Sequence, residues 1–255
     1  MSQNDVVLVI GGANGIGAAC CEVMHAHGWS ILVADKDEAG AEATAARLDG
    51  RSFALDVTDI AAIESLADRI DRDIGRLAAL VVSSGIFQPN VPVEQAPADL
   101  FDTITAVNLR GTYHANRIFG ARMAAQGGGA IVNMASATAH ASSPNNIYGP
   151  GKAAIINMTK CFAGEWGGRG VRVNSVSPGI VLVPRIRGLK AKGDRYPPDL
   201  DEQMALRRCV EPREVAETVE FLASSRASGI TGTDIVVDCG WATGALWNAY
   251  LGGLR

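Results

Sequence analysis

Seven short apolar runs, separated by longer alanine-rich segments, constrain this chain more than any other feature. They are VVLVI (6–10), ILVAD (31–35), SFALDV (52–57), LAALVVS (77–83), AIVNMA (130–135), VRVNSVS (171–177) and DIVVD (234–238). Each is nearly continuous in apolar residues, whereas a strand with one wet face alternates apolar with polar. Strands of this kind must be covered on both sides. Between them the helical period predicts helices at about 16–27, 38–48, 59–73, 99–125, 146–167 and 212–224. Such alternation gives an α/β fold, a doubly wound parallel sheet with helices on both faces. No Pro/Ser-rich linker and no internal repeat interrupts the pattern, so residues 1–255 are expected to form a single domain.

Composition narrows the class. The chain is 47% hydrophobic and 20% charged, enough apolar material for a sizeable core and too much for disorder. A formal net charge of −4 argues against a nucleic-acid partner. No apolar stretch approaches the roughly 18 residues of a membrane span. The five cysteines (Cys20, Cys21, Cys161, Cys209, Cys239) are odd in number and lack C-x-x-C spacing, so neither a disulfide framework nor a metal site is expected. The polar start MSQND runs straight into the first strand without the pattern of a signal peptide. A cytoplasmic protein acting on a small molecule is the expectation.

The stretch VVLVIGGANGIGAAC sets Gly11, Gly15 and Gly17 between the first strand and the first helix. Glycines at such a junction let the backbone approach a pyrophosphate, which the helix N-terminus stabilises. In a chain with 29 glycines the trio alone is weak, and a tight packing turn is the other reading. The second strand adds context, because it ends at Asp35, 18 residues after Gly17. An acid there accepts hydrogen bonds from an adenosine ribose and repels a 2′-phosphate, which favours NAD over NADP. Lys36 follows and offsets part of that repulsion; an ordinary strand-end turn is the plainer role for Asp35. Asp56, ending the third run, stands either at the adenine edge or as an acid near a helix N-terminus.

In NNIYGPGKAAI (145–155) a phenol and an ammonium, Tyr148 and Lys152, stand four positions apart. On a helix that spacing puts them on one face. The intervening Gly149, Pro150 and Gly151 are poor helix formers. An N-cap at Asn145 or Asn146 places Pro150 in the first turn, where N–H groups lack intrahelical partners anyway. A phenol of pKa ~10 accepts a proton near neutral pH only beside positive charge, which Lys152 is placed to supply.

With these motifs go VNLRGT (107–112), IVNMAS (131–136), VRVNSVSPG (171–179) and ITGTDIVVDCG (230–240). In this order and over the full length they resemble the short-chain dehydrogenase/reductase family. The resemblance implies a Rossmann-type sheet of about seven strands and NAD(P)-dependent interconversion of secondary alcohols and ketones. It makes Tyr148 the general acid/base, Lys152 its partner and a ligand of the nicotinamide ribose, and Ser136 the holder of the substrate oxygen. Asn108 anchors a water that links Lys152 to solvent. The cofactor contacts it implies are Gly11, Asn14, Gly15, Ile16, Gly17, Asp35, Asp56, Val57, Ser84, Gly85, Tyr148, Lys152, Pro178, Gly179 and Val181. The hydride chemistry belongs to the cofactor, here expected to be NAD. A homotetramer is the family's common assembly.

The chain also departs from the family's pattern. Ile10 stands where Thr is usual, and VSSG (82–85) where Asn-Asn-Ala-Gly is. Ala135 replaces the first of a Ser pair, and the loop from Ser136 to Tyr148 is one residue short. Val183 takes the place of a Thr, and Cys239 interrupts an Asp-Gly-Gly. A non-catalytic dinucleotide-binding redox sensor or scaffold is therefore the rival reading. Residues 180–211 show no clear period and are expected to form a substrate lid, within which 184–200 has few apolar anchors and is expected to be the least ordered internal stretch. Of its charges, Arg185 or Arg187 is expected to face the pocket, against a merely solvated flank. His140 lies either on the pocket or in a plain loop. Trp241, Trp247 and Tyr250 are expected at a subunit interface or over the pocket mouth.

Overall fold

The computed structural model describes residues 5–193 and 195–244. Its seven strands are β1 (Val6–Ile10), β2 (Ser30–Asp35), β3 (Arg51–Ala54), β4 (Ala79–Val82), β5 (Gly129–Met134), β6 (Val171–Pro178) and β7 (Asp234–Val237). They form one sheet in the order β3-β2-β1-β4-β5-β6-β7, with every neighbouring pair parallel. All seven apolar runs are therefore strands, and the sheet is Rossmann-like and doubly wound.

Two apolar cores, one on each face, account for the continuous runs. Alternate residues point opposite ways: Leu8 and Ile10 enter one core, Val7 and Val9 the other. Helices α1 (Gly15–Ala26), α2 (Glu38–Arg47) and α8 (Pro212–Ala223) cover the Val7 side through Cys20, Met24, Ala41, Val215 and Leu222. Helices α3 (Ile60–Asp73), α5 (Thr112–Ala125) and α6 (Tyr148–Trp166) cover the other through Ile63, Ile70, Phe119, Met123 and Trp166. Local chemistry fixes several helix starts. The side chains of Asp37 and Asp59 accept from Gly40 N and Ala62 N, and α8 opens on Pro212 with a Glu211–Glu214 capping box.

The segment expected as a single helix over 99–125 is α4 (Leu100–Thr105), a π-helical turn at Ala106–Gly111, and α5. In the widened turn Asn108 O accepts from the Thr112 hydroxyl, and Gly111 packs where an added Cβ would stand 2.9 Å from a Val57 methyl. Such π-turns often mark functional sites.

The lid segment differs from its expectation. It contains α7 (Pro184–Ala191), a short bridge from Val181 to Val210, and a 3₁₀ turn at Leu200–Gln203. Ile180, Ile186, Leu200, Met204 and Cys209 are all buried together as a third apolar cluster. Two of the five, Ile186 and Leu200, lie within 184–200. The five are spread over thirty residues without a period, and folding alone collects them. The closing helix α9 (Trp241–Gly244) starts at Trp241, while Trp247 and Tyr250 lie outside the described residues.

Gly151, in the first turns of α6, meets no described atom within 4 Å of an added Cβ. Gly151→Ala should therefore stabilise the protein by about 0.5–1 kcal/mol, by reducing the freedom of the unfolded chain. A urea midpoint that fails to rise would show that this turn needs glycine for another reason.

Candidate active site

A cleft of about 920 Å³ runs along the carboxyl ends of the strands and crosses the point where β1 lies between β2 and β4. Strand order reverses there, which opens a crevice in any doubly wound sheet. Gly11, Asn14, Gly15, Ile16 and Gly17 line it from the first turn; Asp35, Asp56 and Val57 line it from the ends of β2 and β3. Ser84 and Gly85 follow β4, Pro178 ends β6, and Gly179 and Val181 follow it. Ser136, Tyr148 and Lys152 complete the wall.

The glycine turn is shaped by close approach. Gly11 has φ +85°, and an added Cβ would stand 2.5 Å from Ser84 N; at Gly17 it would collide with Gly11 O. The floor of the cleft is therefore bare backbone. The Ser84 hydroxyl, on the cleft wall, is buried without a hydrogen-bond partner among the described residues. Bare backbone beside a helix N-terminus and a spare buried hydroxyl suit a phosphate- and ribose-bearing ligand.

Asp35 accepts from Ala13 N and Asp37 N, both at 3.0 Å, so its carboxylate is fixed at the cleft edge. Lys36 does not lean over it. Its ammonium bonds Asp56 at 2.8 Å, and that contact, with two hydrogen bonds from Thr58, holds the Asp56 carboxyl down to about 2.

At the other end three elements converge. Ser136 follows β5 and accepts from the Thr138 hydroxyl at 2.9 Å. Tyr148 begins α6, and Lys152 follows one turn on, its Nζ 5.4 Å from the Tyr148 ring centre. Lys152 is buried and donates to Met134 O at 2.7 Å. Asn108 stands behind the cleft wall, where its amide exchanges two hydrogen bonds with the backbone of Ile86. Asn108 Oδ1 and Lys152 Nζ would lie 3.4 and 3.8 Å from a Cβ at Gly85, so the two side chains meet at that glycine.

The phenol is expected to be lowered by Lys152 together with a bound nicotinamide cation, and in the protein by itself burial works against that lowering. It pushes Tyr148 up to about 12, against the opposing pull of its hydrogen bond to Ser136. Burial also pushes Lys152 down to about 8. Desolvation disfavours both charged forms and outweighs their neighbours.

Residues 11–242 match the family described as enoyl-(acyl carrier protein) reductase. D-threitol dehydrogenase of Mycolicibacterium smegmatis (strain ATCC 700084 / mc(2)155) is 39% identical over 242 residues, 92% of either chain. A short-chain type dehydrogenase/reductase from Mycobacterium ulcerans superposes with a TM-score of 0.89 at 26% identity, over 94% of this chain and 90% of that one. The chain belongs to the short-chain dehydrogenase/reductase family. A crystal structure of ribose-5-phosphate isomerase from Brucella melitensis 16M is also similar, with a TM-score of 0.94 and 38% identity over 99% of this chain and 97% of that one.

As a family member this protein is an oxidoreductase with a nicotinamide dinucleotide cofactor. Its sequence left several cleft residues unmarked. The lid arginine that reaches the pocket is Arg195, beside Tyr196, in place of Arg185 or Arg187. Arg187 turns outward to Glu211 at 2.5 Å, and Arg185 lies 5.5 Å over the ring of Phe87, which itself lines the cleft. Arg195 donates to Gln88 O and Asn145 Oδ1 at 3.2 and 3.3 Å. His140 takes the loop role, with Nε2 2.8 Å from Asp234 and 3.3 Å from the Ser177 hydroxyl. Trp241 does line the mouth. No helix of the described residues is long and apolar enough to cross a membrane, and they hold no cluster of three or more metal-ligating side chains.

Burial of Lys152 has a measurable consequence for stability. With a folded pKa of about 8 against 10.5 for the free side chain, wild type gains stability as pH rises between those values, by roughly 3 kcal/mol in all. Lys152→Met lacks that titration. Its thermal midpoint should exceed that of wild type at pH 7, and the gap should close as pH climbs from 8 to 10. A gap independent of pH would mean that the ammonium is solvated.

Proposed function

We propose that this protein is an NAD-dependent dehydrogenase of secondary alcohols, with Tyr148 as general acid/base and a small polyhydroxylated alcohol as substrate. The observation that carries the proposal is the convergence of Ser136, Tyr148 and Lys152 at one end of a cleft whose other end holds Asp35. Gly11, Asn14, Gly15, Ile16, Gly17, Val57, Ser84, Gly85, Pro178, Gly179 and Val181 would hold the cofactor between them. Bound NAD supplies the hydride acceptor and a positive charge at its nicotinamide ring.

In the oxidative direction Tyr148 takes the hydroxyl proton of the substrate. Ser136 hydrogen-bonds the oxygen whose charge changes, and its contact with the phenol favours the deprotonated form. Lys152 adds a positive charge beside the ring and reaches the nicotinamide ribose. Asn108 steadies the backbone of Ile86 and joins Lys152 to solvent through water. The phenol of the protein alone titrates near 12, so the added positive charge must lower it before it works as a base near neutrality. The rate of alcohol oxidation should therefore rise with pH, to a midpoint below 12 when NAD is bound.

Asp35 supports NAD over NADP, because a fixed carboxylate repels a 2′-phosphate while Lys36 is held away on Asp56. The polyol reading is supported by the threitol dehydrogenase at 39% identity and by Thr138, Ser143, Asn145 and Arg195 on the cleft wall. An aldose–ketose isomerase moves protons with no net oxidation and has no use for a dinucleotide cleft, so the Brucella isomerase's name does not favour that activity here. The exposed Phe101 and Tyr113 are apolar surface that a homotetramer would cover.

Two measurements test the proposal. NADH absorbance should detect oxidation of four- to six-carbon polyols with NAD preferred over NADP, and Asp35→Ala should narrow that preference. Equal efficiency with both cofactors in wild type would overturn the role of Asp35. Tyr148→Phe should abolish turnover while NADH binding stays nearly intact, because only the hydroxyl is lost. Activity within about tenfold of wild type, some 1.4 kcal/mol in barrier, would remove Tyr148 from the mechanism.

A further inference from the structure

We propose that Gln88, from the segment after β4, is the positioning residue that fixes Tyr148 at the cleft, by capping α6 from outside the helix. The inference rests on the reading of Tyr148 as the acid/base. Gln88 belongs to no motif and is not among the residues that line the cleft.

The first N–H groups of any helix lack intrahelical partners. Gly149 N bonds Asn145 O at 2.8 Å, so a helical turn from Asn145 leads into α6, whose N-cap is Ile147 in place of the expected Asn145 or Asn146. Asn145, opening that turn, would ordinarily accept the N–H two or three residues on, that of Ile147 or Tyr148. Its Oδ1 instead receives Arg195 Nη2 from the lid. Gln88 takes its place. Its Oε1 accepts from Ile147 N at 2.8 Å and from Tyr148 N at 3.1 Å. Its Nε2 donates to Asn146 Oδ1 at 2.8 Å, and its backbone oxygen accepts from Arg195. The residue is 1% exposed, so these bonds do not compete with bulk water.

One of these bonds lands on the backbone nitrogen of Tyr148 itself. The preceding residue, Phe87, stacks on the Tyr148 ring with centres 6.0 Å apart and planes at 29°. Two consecutive residues thus hold the tyrosine, one by its backbone and one by its ring. Local propensity would not do so, because Gly149, Pro150 and Gly151 fill the same turn. A hydroxyl that must meet a substrate oxygen within hydrogen-bond reach tolerates little displacement, and an error of 1 Å costs about a hundredfold in rate.

The test compares Gln88→Leu, which keeps the bulk and loses the hydrogen bonds, with Gln88→Glu, which keeps an acceptor oxygen for Ile147 N and Tyr148 N and loses the Nε2 donor to Asn146. Gln88→Leu should lower kcat by about tenfold to a hundredfold and leave the NADH dissociation constant within about threefold. The pH midpoint of Tyr148 ionisation should move up, because a displaced hydroxyl loses the Ser136 hydrogen bond. Gln88→Glu should restore kcat to within about threefold of wild type once the assay pH exceeds the Tyr148 midpoint, which the added carboxylate itself raises. Wild-type kcat and midpoint in Gln88→Leu would overturn the proposal. So would equal impairment of both variants with NADH binding lost, the mark of a mere structural prop. If the wild-type protein oxidises no alcohol, the proposed function has failed on its own account. Ultraviolet titration of Tyr148 with NADH bound, referenced to Tyr148→Phe, then still decides: an unmoved midpoint in Gln88→Leu sinks the role of Gln88.

Discussion

Burial of a parallel sheet on both faces is the constraint on which the rest of this structure depends. Parallel strands need covering crossovers, and the crossovers bring every strand end of one sense to the same edge. Gly11, Asp56, Ser84, Ser136 and Gly179 all lie within two residues of a strand's carboxyl end, and Asp35 is the last residue of β2. Inside the sheet such polar or side-chain-free positions would spoil a core. Just past it, where the ladder ends, they can face solvent or ligand. The reversal of strand order beside β1 then turns that edge into a cleft.

The same burial sets the electrostatics at the Tyr148 end of the cleft. A phenol and an amine share a dry wall, and each is driven toward its neutral form, Tyr148 upward and Lys152 downward. Keeping a lysine where it is least comfortable costs stability that an apolar side chain would not cost. The arrangement makes both groups responsive to a single added charge. An enzyme that must move one proton per hydride gains from groups whose titration is governed by what is bound beside them.

The lid joins this site by packing and by hydrogen bonds. Its own apolar cluster, Ile180, Ile186, Leu200, Met204 and Cys209, seats α7 at the cleft, and Arg195 then reaches across to Gln88 and Asn145. Its bond to Asn145 ties the lid to the turn that leads into α6. The start of the helix that carries Tyr148 and Lys152 is therefore built from three distant pieces of chain.

Seven strands, most of their helical cover and many of the residues along the cleft were legible in the sequence, because each is written in local terms. An apolar run demands two covered faces, a glycine trio after a strand frees backbone, and a four-residue spacing puts Tyr148 and Lys152 on one helix face. The lid helix was not legible, since its anchors follow no period. Nor was the choice of Arg195 over Arg185 and Arg187: a run of charge names the residues, but the direction of each depends on the turn of α7 and on Glu211. Gln88 lies 60 positions from Tyr148, and Lys36 lies 20 from Asp56. Only the tertiary structure decided those pairings, along with the upward shift of Tyr148. Hydrogen-bond partners and exclusion of water are properties of the assembled space, and no local pattern encodes them.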